Sequence, residues 1–578
     1  MPSLRTLWVT RLHARLAGLG RPATAFVSQP EPRSIGHFAK GRQIIAGNYL
    51  FAGYLVEAGR GHSIWQLDPP AAPFEEEAHG FVWLDDLAAV GDTQARKLAQ
   101  DWTFEWIELY GRGTGPGWSP DLTGRRLIRW INHALFLLSG DGGDSSAGFF
   151  QALGRQTRFL ARRWSSTTPG LPRIEALTGL IYAGLSLTGM ERHVPTAVTA
   201  LGKACEAQID KDGGLTTRNP EELLEIFTLL NWAALALQEG GHVAALAHLA
   251  AIERAAPILR SLRHADGGLA RFHGGGRGLD GRLDAALATS GIKAEAPLEE
   301  AMGFVRIANG RTTLIMDAAL PPKGPSSFNA HASTLAFELT SGRRPLIVNC
   351  GSGAAFGEDW RRAGRATPSH STLSIDGYSS SRLGEAKLAS GRASELLADI
   401  PREVVKERRS TDFALRQQAS HDGYRRTHGL VHVRTLELTH DGRGVAGEDL
   451  LVALNAHDKV RFDVALDQNN LQGVPFTIRF HLHPDVDASQ DMGGAAVSLA
   501  LKSGEIWVFR HDAHATLTLE PSVYLERGRL KPRGAEQIVL SGRAGNDTTR
   551  VRWSLAKAQE TPLSVRDLKR EDPLSEDI

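Results

Sequence analysis

The sequence predicts two dissimilar halves: an α/α layered array, toroid or solenoid, followed by an antiparallel β-sandwich. From about residue 80 to 290, apolar residues recur at helical spacing, and the links hold Gly, Pro and Asp, as in Asp212-Gly213-Gly214 and Asp266-Gly267-Gly268. After Gly275 the texture changes to short alternating runs separated by turn signals. The 578 residues are also too many for a single core. The expected division is an N-terminal segment with short strands over 1–80, helices over 81–290, the sandwich over 291–556 and a polar tail over 557–578.

At the N-terminus, Leu4, Leu12, Leu16 and Leu19 recur at roughly helical spacing. They predict a short amphipathic helix that packs on the protein body or touches a membrane surface. Arg5, Arg11 and Arg15 interrupt the apolar residues, so no signal-type apolar stretch forms, and no run approaches transmembrane length. The expected location is the cytoplasm or the cell envelope. Ile44 to Phe51 reads as a strand or hairpin.

Trp102, Trp106 and Leu109 share one helical face, and Leu127, Ile128, Ile131, Leu135 and Leu138 continue the pattern. Further helices are expected over Glu175 to Leu187, Val194 to Gln208, Pro220 to Leu237 and Val243 to Leu262. Asn219 before Pro220 reads as an N-cap. Expected strands include Thr313 to Met316, Thr334 to Leu339, Thr372 to Ile375, Val431 to Leu438, Val460 to Val464 and Ile506 to Phe509.

Composition removes several function classes. A formal net charge of +1 provides no overall field for nucleic acid. The two cysteines, Cys205 and Cys350, read as buried free thiols, and no CxxC exists for cysteine-based zinc. No P-loop, HExxH or GxSxG motif occurs.

The chemistry-bearing residues gather in the β half. Asn329-Ala330-His331-Ala332-Ser333 is followed by Val348-Asn349-Cys350-Gly351 and then Pro368-Ser369-His370-Ser371-Thr372. Polar groups at strand ends over an apolar scaffold are how a β domain presents a site. Further on stand Ser420-His421-Asp422-Gly423-Tyr424, Gly429 to Arg434 and Gly447-Glu448-Asp449. His481 and His483 alternate on a strand and read as a packed or solvent-facing pair.

These motifs, in this order, resemble the heparinase II/III-like family. The resemblance implies an incomplete α/α toroid before the sandwich, and β-elimination at a uronic acid of an acidic polysaccharide or oligosaccharide. That reaction needs neutralisation of a carboxylate, a base at the adjacent carbon, and an acid for the leaving oxygen. The chain departs from the family at several positions. Asn329 stands where the family has a histidine, Asn349 where it has an aspartate, and no tyrosine follows Arg218-Asn219-Pro220. A neutral amide is no general base. The expected catalytic set is therefore Asn329 for polarisation, with His421 and Tyr424 for proton transfer.

Arg218 and Arg365 are the expected clamps for a substrate carboxylate. Glu175 and Glu222 are expected to line the cleft, where two facing carboxylates would suit glycoside hydrolysis. Glu175 otherwise complements a helix dipole. The resemblance further implies zinc on His331 and His370 with a third ligand from elsewhere. The rival to catalysis is a glycan-binding or envelope-assembly protein that kept the scaffold and lost the base.

Overall fold

A computed structural model describes residues 4–28, 31–139, 144–293, 295–385, 387–389 and 392–558. Nearly all of the expected polar tail lies outside the described residues.

The helical half is an incomplete α/α toroid. Its inner helices are Val82–Val90, Pro120–Asn132, Leu171–Ser186 and Pro220–Glu239. The outer ones are Thr93–Tyr110, Asp144–Arg163, Val194–Gln208 and Leu246–Ser261. The helix Leu171–Ser186 is apolar on nearly every side, and it is buried from Ile174 to Ser186. It touches Pro120–Asn132 backbone to backbone. A Cβ on Gly179 would stand 2.5 Å from Gly124 Cα, so only glycine fits there.

Local rules explain the helix ends. Asn219 Oδ1 accepts from the Glu221 and Glu222 amides at 3.0 and 3.1 Å, with Pro220 in the first turn, as its sequence position predicts. Ile44 and Ile45 finish a helix, Phe38–Ala46, which Gly47 closes in left-handed backbone at φ 90°. The hairpin Asn48–Phe51 with Tyr54–Glu57 follows. Trp65, Phe81, Trp83, Trp102, Trp106, Trp118 and Trp130 pack ring against ring in this half. Leu109 and Leu135 face outward, contrary to the helical pattern, because the main helix stops at Asn132 and a new one begins at Ala134.

The sandwich consists of two antiparallel sheets. The first runs, in spatial order, Thr516–Tyr524, Arg533–Ala544, Val474–Leu482, Arg344–Val348, Phe337–Ser341, Thr312–Asp317, Phe304–Asn309 and Glu300–Ala301, with Leu373–Ile375 beside Val474–Leu482. The second runs Val404–Ser410, Ala414–His421, Val431–Thr439, Gly444–Val452, Thr548–Lys557, Ile506–His511, Ala496–Leu501 and Val486–Asp491. Phe337 from the first sheet stacks on Trp553 from the second at 5.8 Å between centroids.

Two strand expectations shift. The strand expected from Thr334 begins at Phe337, because Leu335 adopts left-handed backbone at φ 64°. Val460 to Val464 lies in the helix Ala456–Gln468. Asn455 caps it, Asp458, Phe462 and Ala465 face inward, and both valines face solvent.

The N-terminal helix Leu4–Leu16 packs on Asp144–Arg163, with Ala14 and Ala17 buried. Trp8, Leu12, Leu16 and Leu19 remain exposed on its outer side.

Candidate functional site

Three buried networks occupy the region where the two halves meet. The first is built on Asp317, the last residue of the strand Thr312–Asp317 and fully buried. It accepts from Arg218 Nη2 at 2.6 Å and from Ser333 Oγ at 2.7 Å, and it pairs with His273 Nε2 at 3.3 Å. Burial alone would raise the Asp317 carboxyl, but Arg218 overrides this and holds it well below the usual carboxylate range. Arg218 also donates to the Met302, Gly303, Ala319 and Leu320 carbonyls, and it lies over the Phe304 ring. Every part of its fork is committed. The expected substrate clamp is thus a structural tie between the halves.

The His331 amide donates to His273 Nδ1 at 3.2 Å. His273 therefore carries its proton on Nε2, facing Asp317. The second network follows from His331. His370 Nδ1 lies 2.9 Å from the Ala366 carbonyl, which fixes that proton and leaves Nε2 as an acceptor. His331 Nδ1 lies 3.0 Å from His370 Nε2 and donates to it. Burial draws His370 down to about 4 and His331 further below the usual value, so both are neutral.

Asn349 turns toward different partners. Its Oδ1 accepts from the Ser371 amide at 3.0 Å, and its Nδ2 donates to Glu338 Oε1 at 3.3 Å. Glu338 Oε2 accepts from the Arg271 amide and pairs with His264 Nε2, both at 3.1 Å. The Arg271 guanidinium reaches the Asn349, Cys350 and Leu525 carbonyls. This donor set does not fit zinc, which takes three or four protein ligands including the charged or imidazole groups missing here. Two imidazoles face each other, and the third family position is an amide committed elsewhere. Among the described residues no group of three His, Cys, Asp or Glu is placed to hold a metal.

The third network lies inside the sandwich. Asp449 accepts from His432 Nε2 at 2.7 Å, Arg434 Nε at 2.8 Å, Arg434 Nη2 at 3.0 Å and Trp553 Nε1 at 3.0 Å. Gly423 N–H donates to His421 Nδ1, leaving Nε2 to face His432 Nδ1 at 3.3 Å. Burial holds His421 far below its usual value. Tyr424 is also fully buried. Its hydroxyl donates to the Leu373 carbonyl at 3.1 Å, and burial pushes its ionisation upward. His421 and Tyr424 are within a core, so the structure does not bring them to a cleft.

The remaining expected residues are scattered. Arg365 is buried and donates to the Ala330, Glu395 and Ser327 carbonyls. Asn329 is exposed and lies against Gly274 of the helical half. Glu175 is buried in the second turn of its helix rather than at its dipole end, and it accepts from Arg125 Nε at 2.7 Å. Glu222 accepts from the Thr217 hydroxyl at 2.7 Å. Glu221 pairs with Arg527 at 3.4 Å, and Glu225 with Arg282 at 2.7 Å. Carboxylates thus line this face of the toroid, and the guanidiniums beside them are already paired. His481 is packed, between Ser522 and Pro368.

Sequence reasoning missed Asp317, His273, Glu338 and Arg271. The His273-Gly274-Gly275 turn was a visible signal, because the left-handed backbone of His273 at φ 48° is uncommon for a side chain of that size.

An incomplete toroid joined to this sandwich is the architecture of polysaccharide lyases. A heparinase III crystal structure superposes with a TM-score of 0.66 at 13% identity, covering 95% of this chain and 89% of that one. A mutant heparan sulfate lyase from Pedobacter heparinus superposes at 0.56 and 14%, covering 96% and 89%. Residues 292–554 match the heparinase II/III-like C-terminal domain. FtsZ-localized protein C of Caulobacter vibrioides (strain NA1000 / CB15N) is 31% identical over 561 residues, 95% of this chain and 92% of that protein. The chain belongs to the heparinase II/III-like family.

Proposed function

We propose that this chain is a non-catalytic member of its family, a glycan-binding protein of cell-envelope assembly that works where FtsZ acts. One observation carries the loss of catalysis: each group expected to move a proton is sealed in an internal hydrogen-bond network or is an amide. His421 and Tyr424 are core residues, His331 and His370 satisfy each other, and Asn329 has no ionisable group. The similarity to a protein named for its localisation with FtsZ supports the setting.

The N-terminal helix supports attachment to an anionic membrane surface. Trp8, Leu12, Leu16 and Leu19 form one exposed stripe, with Trp8 67% and Leu19 84% exposed. Arg11 and Arg15 flank it. Behind them Arg155, Arg158, Arg162 and Arg192 lie close enough to depress the protonation of Arg158, beyond the effect of its burial. Among the described residues no helix is long and apolar enough to cross a membrane, so the contact would be peripheral.

The test has two parts. Purified protein is incubated with acidic polysaccharides while enol-ether absorbance is followed, and it is co-sedimented with vesicles of phosphatidylglycerol and phosphatidylcholine. A flat trace, with sedimentation that Trp8→Ser and Leu12→Ser abolish, is the expected result. A rise in absorbance that His331→Ala removes would overturn the non-catalytic reading. Vesicle binding that ignores the stripe would overturn the attachment.

A further inference from the structure

The helical half contains a pocket that none of the three networks uses. Its walls come from the segment Arg33 to Lys40, the helices Val82–Val90, Pro120–Asn132 and Pro220–Glu239, and the short helix Arg282–Thr289. Its volume, counted to its open mouth, is about 750 Å³, which is within the range of small-molecule sites.

Most of the charges around it are already balanced. Arg33 pairs with Glu239, Arg129 with Asp85 and Arg282 with Glu225. Lys40 is different. It is half-buried in the pocket wall, and among the described residues no carboxylate pairs with its ammonium. Three more groups keep unused capacity. Asn231 spends its Nδ2 on the Phe227 carbonyl and leaves Oδ1. One Asp86 oxygen accepts from the His37 amide and the other is unspent. Trp232 is half-buried in the wall, with no partner for its indole N–H among the described residues.

An aromatic plane, one cation without a counter-ion and two hydrogen-bonding groups on neighbouring walls form a recognisable set. The aromatic face suits the C–H face of a sugar ring, the amide and carboxyl suit ring hydroxyls, and the ammonium suits one negative charge. Burial raises the Asp86 carboxyl to about 6, so it donates as well as accepts near neutral pH. We infer that this pocket binds a hexose unit carrying one carboxylate, with Trp232 as the platform and Lys40 as the counter-ion. The inference rests on the glycan-binding reading and places that binding inside the toroid, away from Asn329 and His331.

The test uses the full-length protein and saturation-transfer NMR with glucuronate, galacturonate and N-acetylmuramate, with glucose and acetate as single-feature controls. At least one acidic sugar is expected to bind more tightly than either control, with a dissociation constant on the order of 1 mM. Trp232→Ala should weaken it about tenfold, the loss of one aromatic contact. Lys40→Met, on a half-buried wall, should leave the fold intact and remove the preference for the acid over glucose. Binding that both variants preserve would overturn the pocket and leave the glycan-binding reading standing. No binding of any acidic sugar by the unaltered protein, while longer glycans bind, would also overturn the pocket. No binding of either kind would overturn both.

Discussion

Substituting Asp317 by Asn tests whether Arg218 is a structural tie or an available clamp. Asp317 is fully buried, and the side chain of Arg218 is 9% exposed. The substitution removes the only carboxylate paired with this guanidinium among the described residues, and it turns an amide donor toward Ser333 or His273, which already donate there. Breaking a buried ion pair from one side costs about 3–5 kcal/mol. The four carbonyls that also receive Arg218 stay in place, so the lower half of that range is expected. Urea unfolding followed by far-UV circular dichroism measures the loss. The double variant Arg218→Met with Asp317→Asn should lose less than the sum of the two single variants, because no charge remains stranded. A loss below about 1 kcal/mol in Asp317→Asn would mean that Arg218 does not depend on Asp317, and the tie would be refuted.

Asn349→Asp should supply the missing third ligand beside His331 and His370. Zinc should then raise the melting temperature of the variant and leave the parent unmoved, and an equal response in both would contradict the hydrogen-bonded reading of this centre. Burial holds His370 at about 4, His481 at about 3 and His421 far lower, whereas unfolded imidazoles take up protons below about 6.5. Their stability contribution is complete above that pH and declines as the pH falls toward about 4, at about 1.4 kcal/mol per unit for each histidine. Asp86, held at about 6, opposes one of them between about 4 and 6. Melting temperatures should therefore drop between pH 7 and pH 5, and a flat profile would refute the burial argument. Tyr424→Phe removes one hydrogen bond and should cost about 1 kcal/mol in chemical denaturation, with no change in glycan binding. Gly179→Ala should cost about 1–3 kcal/mol through overpacking against Gly124, and a neutral result would mean that the two helices can separate.

The architecture was legible because periodicity survives burial. The helical spacing over Val194 to Gln208 and the alternation over Val431 to Leu438 follow directly from which side faces the core. Asn219 before Pro220 was legible as a cap for the same local reason. The site was less so. His331 and His370 are 39 residues apart, and nothing in their spacing says that one ring donates to the other rather than to a metal. Arg218 looked available because it follows a Gly-rich turn. Its partner Asp317 is 99 residues away, at the end of a strand that reads only as apolar. Val460 to Val464 misled because β-branched residues on the solvent face of a helix resemble a strand when the inward Phe462 and Ala465 are not weighed against them.

The packed indoles of the toroid have a spectroscopic consequence. Of the 12 tryptophans, only Trp360, Trp507 and Trp553 lie beyond residue 290. Ultraviolet-excited emission from this protein is therefore dominated by its helical half, and Trp8 and Trp232 are the indoles at a surface and at a pocket wall. A blue shift on adding vesicles would report Trp8 entering lipid. Quenching by a small sugar would report Trp232. The sandwich would remain nearly dark in both measurements, so one unlabelled sample separates events at the two ends of the same domain.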